Sequence, residues 1–153
     1  MPEQDAIEML IELAQKASDE RARVLGNALR RESSDSQRLQ LLDDYRKEYL
    51  VKYAKLRKDG VSATGMLNYQ HFLDKLDIAI TQQRHALNHS KASAGAARAA
   101  LGESERKRHS FVVLRKRRRA SEMLIEARRE QKLSDEWASQ RGRVAQSLNG
   151  DTE

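Results

Sequence analysis

Residues 57–65 read Arg-Lys-Asp-Gly-Val-Ser-Ala-Thr-Gly, and they form the one strong break in the helical pattern of this 153-residue chain. Basic residues followed by Asp59-Gly60 are typical of a helix end, and Ser62 or Thr64 can cap the helix that follows. We therefore expect two helices that fold back on each other at this point.

The sequence on both sides of the break follows a heptad pattern. Apolar or small residues recur at alternating steps of four and three, which is typical of a coiled-coil seam and excludes strand alternation. In the first half they are Ile7, Ile11, Ala14, Ser18, Leu25, Ala28, Leu39, Leu42, Tyr49, Tyr53 and Leu56. In the second half they are Tyr69, Leu73, Leu76, Ile80, Gln83, Leu87, Ala94, Ala97, Leu101, Phe111, Leu114, Leu124 and Ile125.

These patterns predict an all-α fold, a long two-helix antiparallel coiled coil (a helical hairpin) with an overhanging C-terminal helix end. We expect a single elongated domain over 1–153, with helix 1 over about 4–58, a turn at 59–65, helix 2 over about 66–148 and a disordered end at 149–153. Glu32 and Asp35 fall at seam positions, so either local fraying or a polar residue that sets the register is expected there.

The composition supports the helical prediction and excludes other classes. Ala, Glu, Lys, Leu and Arg supply about half of the residues, whereas Leu, Ile, Val and Phe supply about a fifth. The single proline is Pro2, which argues against a fold of many strands and turns. The chain has no cysteine, as expected in a reducing compartment, so we expect a cytoplasmic protein.

The net charge of +6 is concentrated in one segment. Residues 105–119 hold eight basic side chains and one acidic one, while the other 138 residues hold 21 basic and 22 acidic ones. We call this segment the basic collar. It favours an anionic partner. The longest apolar run is Phe111–Leu114, too short for a membrane span or a signal-peptide core.

Antiparallel pairing about a turn near residue 62 places Leu10 near Leu114 and Tyr49 near Leu76. The start of helix 1 then lies opposite about residue 118 of helix 2, so the last 30 or so residues of helix 2 extend beyond helix 1. The overhang contains Met123, Leu124, Ile125, Leu133 and Trp137. The alternative is a shorter bundle in which this tail folds back.

The sequence contains little that points to catalysis. Gly60 and Gly65 have the spacing of a phosphate-binding loop, but Met66 and Leu67 replace its Lys and Ser or Thr. His85 and His89 share a helical face without a third ligand nearby. Carboxylate pairs such as Asp43 with Asp44 have no pocket to tune them. We therefore expect no enzyme activity, no metal site and no cofactor.

Aromatic residues gather on both sides of the turn. Five of the seven aromatic side chains lie within 28 residues. Tyr49, Tyr53 and Tyr69 fit seam positions, whereas Tyr45, Phe72 and Ala79 fall one position beside the seam. The pattern allows two interpretations, which are a docking surface beside the seam and simple core packing.

Four stretches resemble the FliJ family of flagellar type III export proteins. They are Ile7-Glu-Met-Leu-Ile-Glu-Leu-Ala14, Leu39-Gln-Leu-Leu-Asp-Asp-Tyr-Arg-Lys-Glu-Tyr49, Asn68-Tyr-Gln-His-Phe-Leu-Asp-Lys-Leu-Asp-Ile-Ala-Ile80 and Arg128-Arg-Glu-Gln-Lys-Leu-Ser-Asp-Glu-Trp-Ala138. The spaced tyrosines and the Asn-Tyr-Gln-x-Phe segment are specific, and the rest is generic to coiled coils. The likeness covers nearly the whole chain.

The resemblance implies a non-catalytic coiled-coil adaptor of the export apparatus. Such proteins resemble the central stalk of rotary ATP synthases, dock into the ring of the export ATPase FliI, contact the export gate protein FlhA and recycle export chaperones. This places the chain in the cytoplasm, peripherally at the inner membrane. No nucleic-acid partner is expected.

The resemblance also assigns residues to each contact. The gate-binding patch would comprise Leu42, Tyr45, Tyr49, Phe72, Leu76 and Ala79. Arg38 and Gln83 depart from the Gln and His expected beside that patch. The ATPase-binding ends would comprise Ile7, Ile11, Arg115, Lys116, Arg117, Arg118, Arg119, Leu124 and Trp137. The alternative function is a basic helical hairpin that binds nucleic acid or an anionic membrane surface through the collar.

Overall fold

The computed structural model, which describes residues 2–151, consists of two long α-helices. Helix α1 spans Pro2–Asp59 and helix α2 spans Ala63–Gly150. The two helices contact each other along the chain as an antiparallel hairpin, so the predicted fold class is confirmed. The loop covers only residues 60–62, and α2 begins three residues before its predicted start.

The C-terminal end of α2 also extends further than predicted. Asn149 and Gly150, which fall in the predicted disordered end, are helical, and Asp151 forms a turn. The remaining two residues of that predicted end, Thr152 and Glu153, lie outside the described residues.

Ser62 explains why the loop is short. Its hydroxyl oxygen accepts a hydrogen bond from the Gly65 amide at 3.1 Å, and its carbonyl accepts one from the Met66 amide at 3.0 Å. Of the two predicted caps, Ser62 therefore caps α2. Gly60 ends α1 with a φ of +89°, a conformation that favours glycine. A Cβ on Gly65 would lie 2.8 Å from Val61 Cγ1, so a larger residue at this position would force the Val61 side chain to move.

By its internal contacts the chain divides into two compact units. Unit 1 comprises Met1–Glu12 and Lys107–Glu153, and unit 2 comprises Leu13–Arg106. Each unit contains a segment of both helices. The units are described separately below, and the single elongated domain over 1–153 stays a prediction.

The core of unit 2 is the predicted heptad seam. Its buried residues recur at steps of three, four or seven and include small side chains that allow the helices to approach closely. They are Ala14, Ser18, Leu76, Ile80, Leu87, Ser90, Ala94 and Ala97. Ala94 is the most deeply buried of them, with 1% of its surface exposed.

A polar layer around Asp35 interrupts this seam. The Gln83 side-chain amide donates to the Asp35 carbonyl at 3.0 Å and to its carboxylate at 3.4 Å. The buried Ser90 hydroxyl also donates to the Asp35 carboxylate. Helix α1 continues without a break through residues 30–37, so local fraying was the wrong alternative and the polar residue is held inside the helix pair.

We expect the change Asp35→Leu to loosen the register of unit 2 rather than unfold it. Hydrophobic gain offsets the lost hydrogen bonds, so the free energy of unfolding should change by only about 1 kcal/mol. A single polar seam residue specifies register, because a shifted alignment leaves it without partners. Without Asp35, alignments shifted by a heptad become accessible.

Engineered cysteine pairs joined by a short bifunctional thiol reagent measure this register, since the chain contains no cysteine. Arg46 Nε and Asp77 Oδ1 lie 2.6 Å apart across the helices, so cysteines at 46 and 77 report the native register. Cysteines at 46 and 84 report a one-heptad shift. The second pair should cross-link only when Asp35→Leu is present, and Glu32→Leu serves as the control. Equal cross-linking of both pairs with and without Asp35 would contradict this prediction.

Neither described helix contains a segment apolar enough to cross a lipid bilayer.

Candidate partner-binding surfaces

Five aromatic rings in unit 2 form one continuous cluster. Tyr49 stacks on Tyr69 and Tyr53 stacks on the other side of Tyr69, with ring centroids 4.1 Å apart in both pairs. Phe72 contacts Tyr49 at 4.4 Å and Tyr45 at 6.2 Å. We call these five residues the aromatic cluster. Offset and edge contacts of this kind stabilise aromatic pairs and leave little freedom for the rings.

The cluster has a packed side and an exposed side, as predicted from the seam positions. Tyr49, Tyr53 and Tyr69 are half-buried, whereas Tyr45 is 50% and Phe72 37% exposed. Burial raises the pKa of the Tyr69 hydroxyl above its ordinary value. An exposed aromatic pair on a rigid support is the kind of surface that proteins use for docking.

The six residues of the predicted gate-binding patch do not contribute equally to this surface. Leu76 is only 7% exposed and belongs to the core, so it supports the patch from beneath. Leu42, Tyr49 and Ala79 are half-buried. Tyr45 and Phe72 therefore supply most of the accessible apolar surface among the six.

Polar contacts border the aromatic surface. Arg46 donates to Asp77 at 2.6 Å, and this hydrogen bond raises the pKa of the arginine further above its usual value. Gln83 was expected beside the gate-binding patch. Its side chain instead donates to Asp35 in the polar layer. Arg38 is exposed.

In unit 1 the basic collar is partly neutralised by the start of α1. Arg115 donates to both carboxylate oxygens of Glu8 at 3.1 Å, and Arg119 lies 3.6 Å from the same carboxylate. Arg118 lies 3.7 Å from the carboxylate of Glu3. We call these five residues the N-terminal ion-pair network. The sequence locates the collar but does not reveal these partners, which lie more than 100 residues away in the chain.

The collar is divided between two faces of α2. Positions 115, 118 and 119 follow the three- and four-residue steps of a single helix face, which is the face that meets α1. Lys116 and Arg117 lie between these positions in the sequence and are exposed. The predicted ATPase-binding residues of the collar thus include three that pair inside unit 1, of which Arg118 and Arg119 are also exposed, and two exposed residues away from that face.

The predicted apolar residues at this end differ in the same way. Ile7 is 6% exposed and Ile11 is half-buried, so both pack within the chain. Leu124 and Trp137 are 54% and 64% exposed. Only the latter two offer accessible apolar surface as the chain stands.

The C-terminal part of α2 is exposed throughout. Every residue over 116–151 is exposed, and the segment is helical to Gly150, which rules out the alternative of a tail folded back into a bundle. Four apolar residues with 57–68% exposure lie on one face about 60° wide. They are Leu133, Trp137, Val144 and Leu148, and we call them the tail face.

The described residues contain no group of three or more histidine and carboxylate side chains arranged to hold a metal ion. His85 and His89, the pair singled out in the sequence, are both exposed on α2.

Comparison with known proteins gives one consistent result. Residues 3–147 match the profile of the family described as "Flagellar FliJ protein". The Flagellar FliJ proteins of Escherichia coli K12 and Salmonella typhi are each 31% identical over 138 residues, which cover 90% of this chain and 94% of the relative.

A solved structure shares the fold. It is that of a proposed YscO homologue from Chlamydia trachomatis, with a TM-score of 0.77 and 15% identity. The match covers 100% of this chain and 96% of that one.

Proposed function

Because the chain belongs to the flagellar FliJ protein family, we propose that it is a non-catalytic adaptor of the type III export apparatus. In this role it binds the export gate protein FlhA through unit 2 and the ring of the export ATPase FliI through unit 1. The observation that carries the proposal is the exposed pair Tyr45 and Phe72, held in place by the stacked rings beneath them.

The gate contact rests on the aromatic cluster. Tyr45 and Phe72 touch each other edge to face, and Phe72 packs on Tyr49. Their positions are therefore fixed before a partner arrives, which lowers the entropy lost on binding. Exposed aromatic side chains with such support often dominate the binding energy of an interface. Binding at the gate would hold the protein at the cytoplasmic face of the inner membrane.

We expect Tyr45→Ala and Phe72→Ala each to weaken binding to the isolated gate domain by about tenfold or more, since each removes a central apolar contact. The measurement is a quantitative pull-down or calorimetric titration with the full chain. Leu29→Ala is the control, because Leu29 has 38% exposure in the same unit, close to that of Phe72. Equal binding of the wild type and both aromatic variants would show that the gate binds elsewhere.

The ATPase contact rests on the accessible residues of unit 1. Lys116 and Arg117 provide charge, and Leu124 and the tail face provide apolar surface. An exposed apolar face on one side of a single helix suits a partner that offers a hydrophobic groove. We further propose that export chaperones are released or received at these surfaces.

The collar supports this protein contact better than it supports nucleic-acid or membrane binding. Three of its arginines already pair with Glu3 and Glu8. Each protein cation that neutralises a phosphate releases counterions condensed on the polyanion, and this release supplies much of the free energy of binding. The internal pairs reduce that gain, so we do not propose a nucleic-acid or lipid ligand.

A further inference from the structure

Several of the residues assigned to the ATPase contact are occupied within unit 1. Ile7 is 6% exposed, and Arg115, Arg118 and Arg119 pair with Glu3 and Glu8. Gln4 adds a hydrogen bond to Glu122 at 2.8 Å. Residues 2–12, which we call the N-terminal segment, therefore contact one face of α2 through acidic and apolar side chains.

We infer that the N-terminal segment is an autoinhibitory contact, which must release α2 before this face of the collar can bind a partner. The inference rests on the proposed function of unit 1. It assigns different roles to the two faces of the collar. Lys116 and Arg117 are available at all times, whereas Ile7 is uncovered, and the three paired arginines lose their carboxylate partners, only after release.

The contact is suited to reversible release. Glu3 and Glu8 have 83% and 51% of their side-chain surface exposed, and Arg118 and Arg119 have 43% and 65% exposed. Exposed ion pairs contribute little to stability and weaken as salt rises. Ile7 is the one buried residue in the described part of this segment, so little apolar burial opposes release.

The segment itself indicates the chemistry of the partner that would replace it. Among residues 2–12 there are four carboxylates, Glu3, Asp5, Glu8 and Glu12, and no basic side chain. Glu3 and Glu8 meet arginines while Ile7 is buried. A surface that binds the released face of α2 should likewise be acidic and carry an apolar side chain, as an acidic amphipathic helix does.

Hydrogen exchange of the full chain, followed by mass spectrometry, tests the release. The amides of residues 6–12 are the informative ones, because the first four amides of a helix lack intrahelical partners. We expect their exchange to quicken about fivefold between 0.05 M and 0.5 M NaCl, and by a similar factor at low salt in the double variant Glu3→Gln and Glu8→Gln. Exchange of residues 76–97 should not change.

The matched control is Glu126→Gln with Glu130→Gln, which makes the same change in net charge on the exposed tail. If the control quickens exchange of residues 6–12 as much as the test variant, or if neither does, the contact is not held by these ion pairs and the inference is overturned.

Titration of the export ATPase separates this inference from the proposed function. We expect the Glu3 and Glu8 double variant to bind the ATPase about fivefold more tightly than the wild type, because release no longer opposes binding. If the wild type binds the ATPase and the double variant binds it no more tightly, the autoinhibition is overturned and the proposed function stands. If neither protein binds the ATPase, the proposed function is overturned.

Discussion

Replacing Ala94 by glutamate is expected to lower the free energy of unfolding by about 3 kcal/mol, because the change puts a carboxylate where almost no water reaches. Ala94 is 1% exposed, and it lies in a stretch of the unit 2 seam that contains the small buried residues Ser90 and Ala97. The close approach of the helices leaves no space for a longer side chain. Burial of its charge adds to this steric cost.

Ala96→Glu is the matched control for this variant. Ala96 lies two residues away in the same helix and is exposed, so the control carries the same change in helix propensity and charge without the burial. Urea denaturation followed by circular dichroism at 222 nm would compare the two. The control should stay within about 0.5 kcal/mol of the wild type. Similar midpoints for the two variants would mean that Ala94 is not in the helix interface.

The sequence predicts the buried seam of α2 over residues 76–97 correctly apart from Ser90, because periodicity is a local property, whereas Leu114, Leu124 and Ile125, which were also assigned to the seam, are exposed. Steps of three and four identify Leu76, Ile80 and Leu87 as core residues without any knowledge of their partners, and all three are buried. The start of α2 was predicted three residues too late, because Ser62 and Thr64 both have the chemistry of a cap. Only the backbone path shows that Ser62 caps the helix.

Contacts between distant residues were harder to predict for a physical reason. The pattern located Asp35 as a polar seam residue, but its partners Gln83 and Ser90 depend on the register, which small shifts of either helix would change. The Glu8–Arg115 pair joins residues 107 positions apart. A count of charged residues gives the net charge of the collar. It does not show which carboxylates from α1 pair with the collar arginines and partly neutralise them.

Ile7 and Trp137 illustrate what the structure adds to the proposed ATPase contact. Both are apolar residues assigned to that contact, yet one is buried under the N-terminal ion-pair network and the other is 64% exposed. Residues that are accessible at once should govern the first encounter with a partner, whereas covered residues contribute only after a rearrangement. The tail face is therefore the place where a change in sequence should affect ATPase binding most directly.

A chain that ends after Arg119 is expected to give no stimulation of the export ATPase, so that the ATPase activity stays at its basal rate. The deletion removes Leu124 and all four residues of the tail face, and every deleted residue in the described part of the chain is exposed. The fold of the remaining residues should persist, because the deletion removes one described hydrogen bond to α1, from Gln4 to Glu122. Circular dichroism would verify the remaining helix while a phosphate-release assay measures stimulation. Undiminished stimulation would place the ATPase contact outside the tail.

A single change in the full-length chain refines this test. Trp137→Ala should weaken ATPase binding by about tenfold or more, since a large exposed aromatic ring at the middle of an apolar face contributes most when a partner covers it. Gln131→Ala is the control, because Gln131 lies on the opposite side of the same helix, where its amide contacts Asp135 at 3.2 Å. If both variants bind like the wild type while the shortened chain does not, the contact is made by deleted residues other than Trp137, with Leu124 as the next candidate. If Trp137→Ala alone is impaired, the tail face contacts the ATPase, because an aromatic side chain that contacts only water contributes nothing to binding.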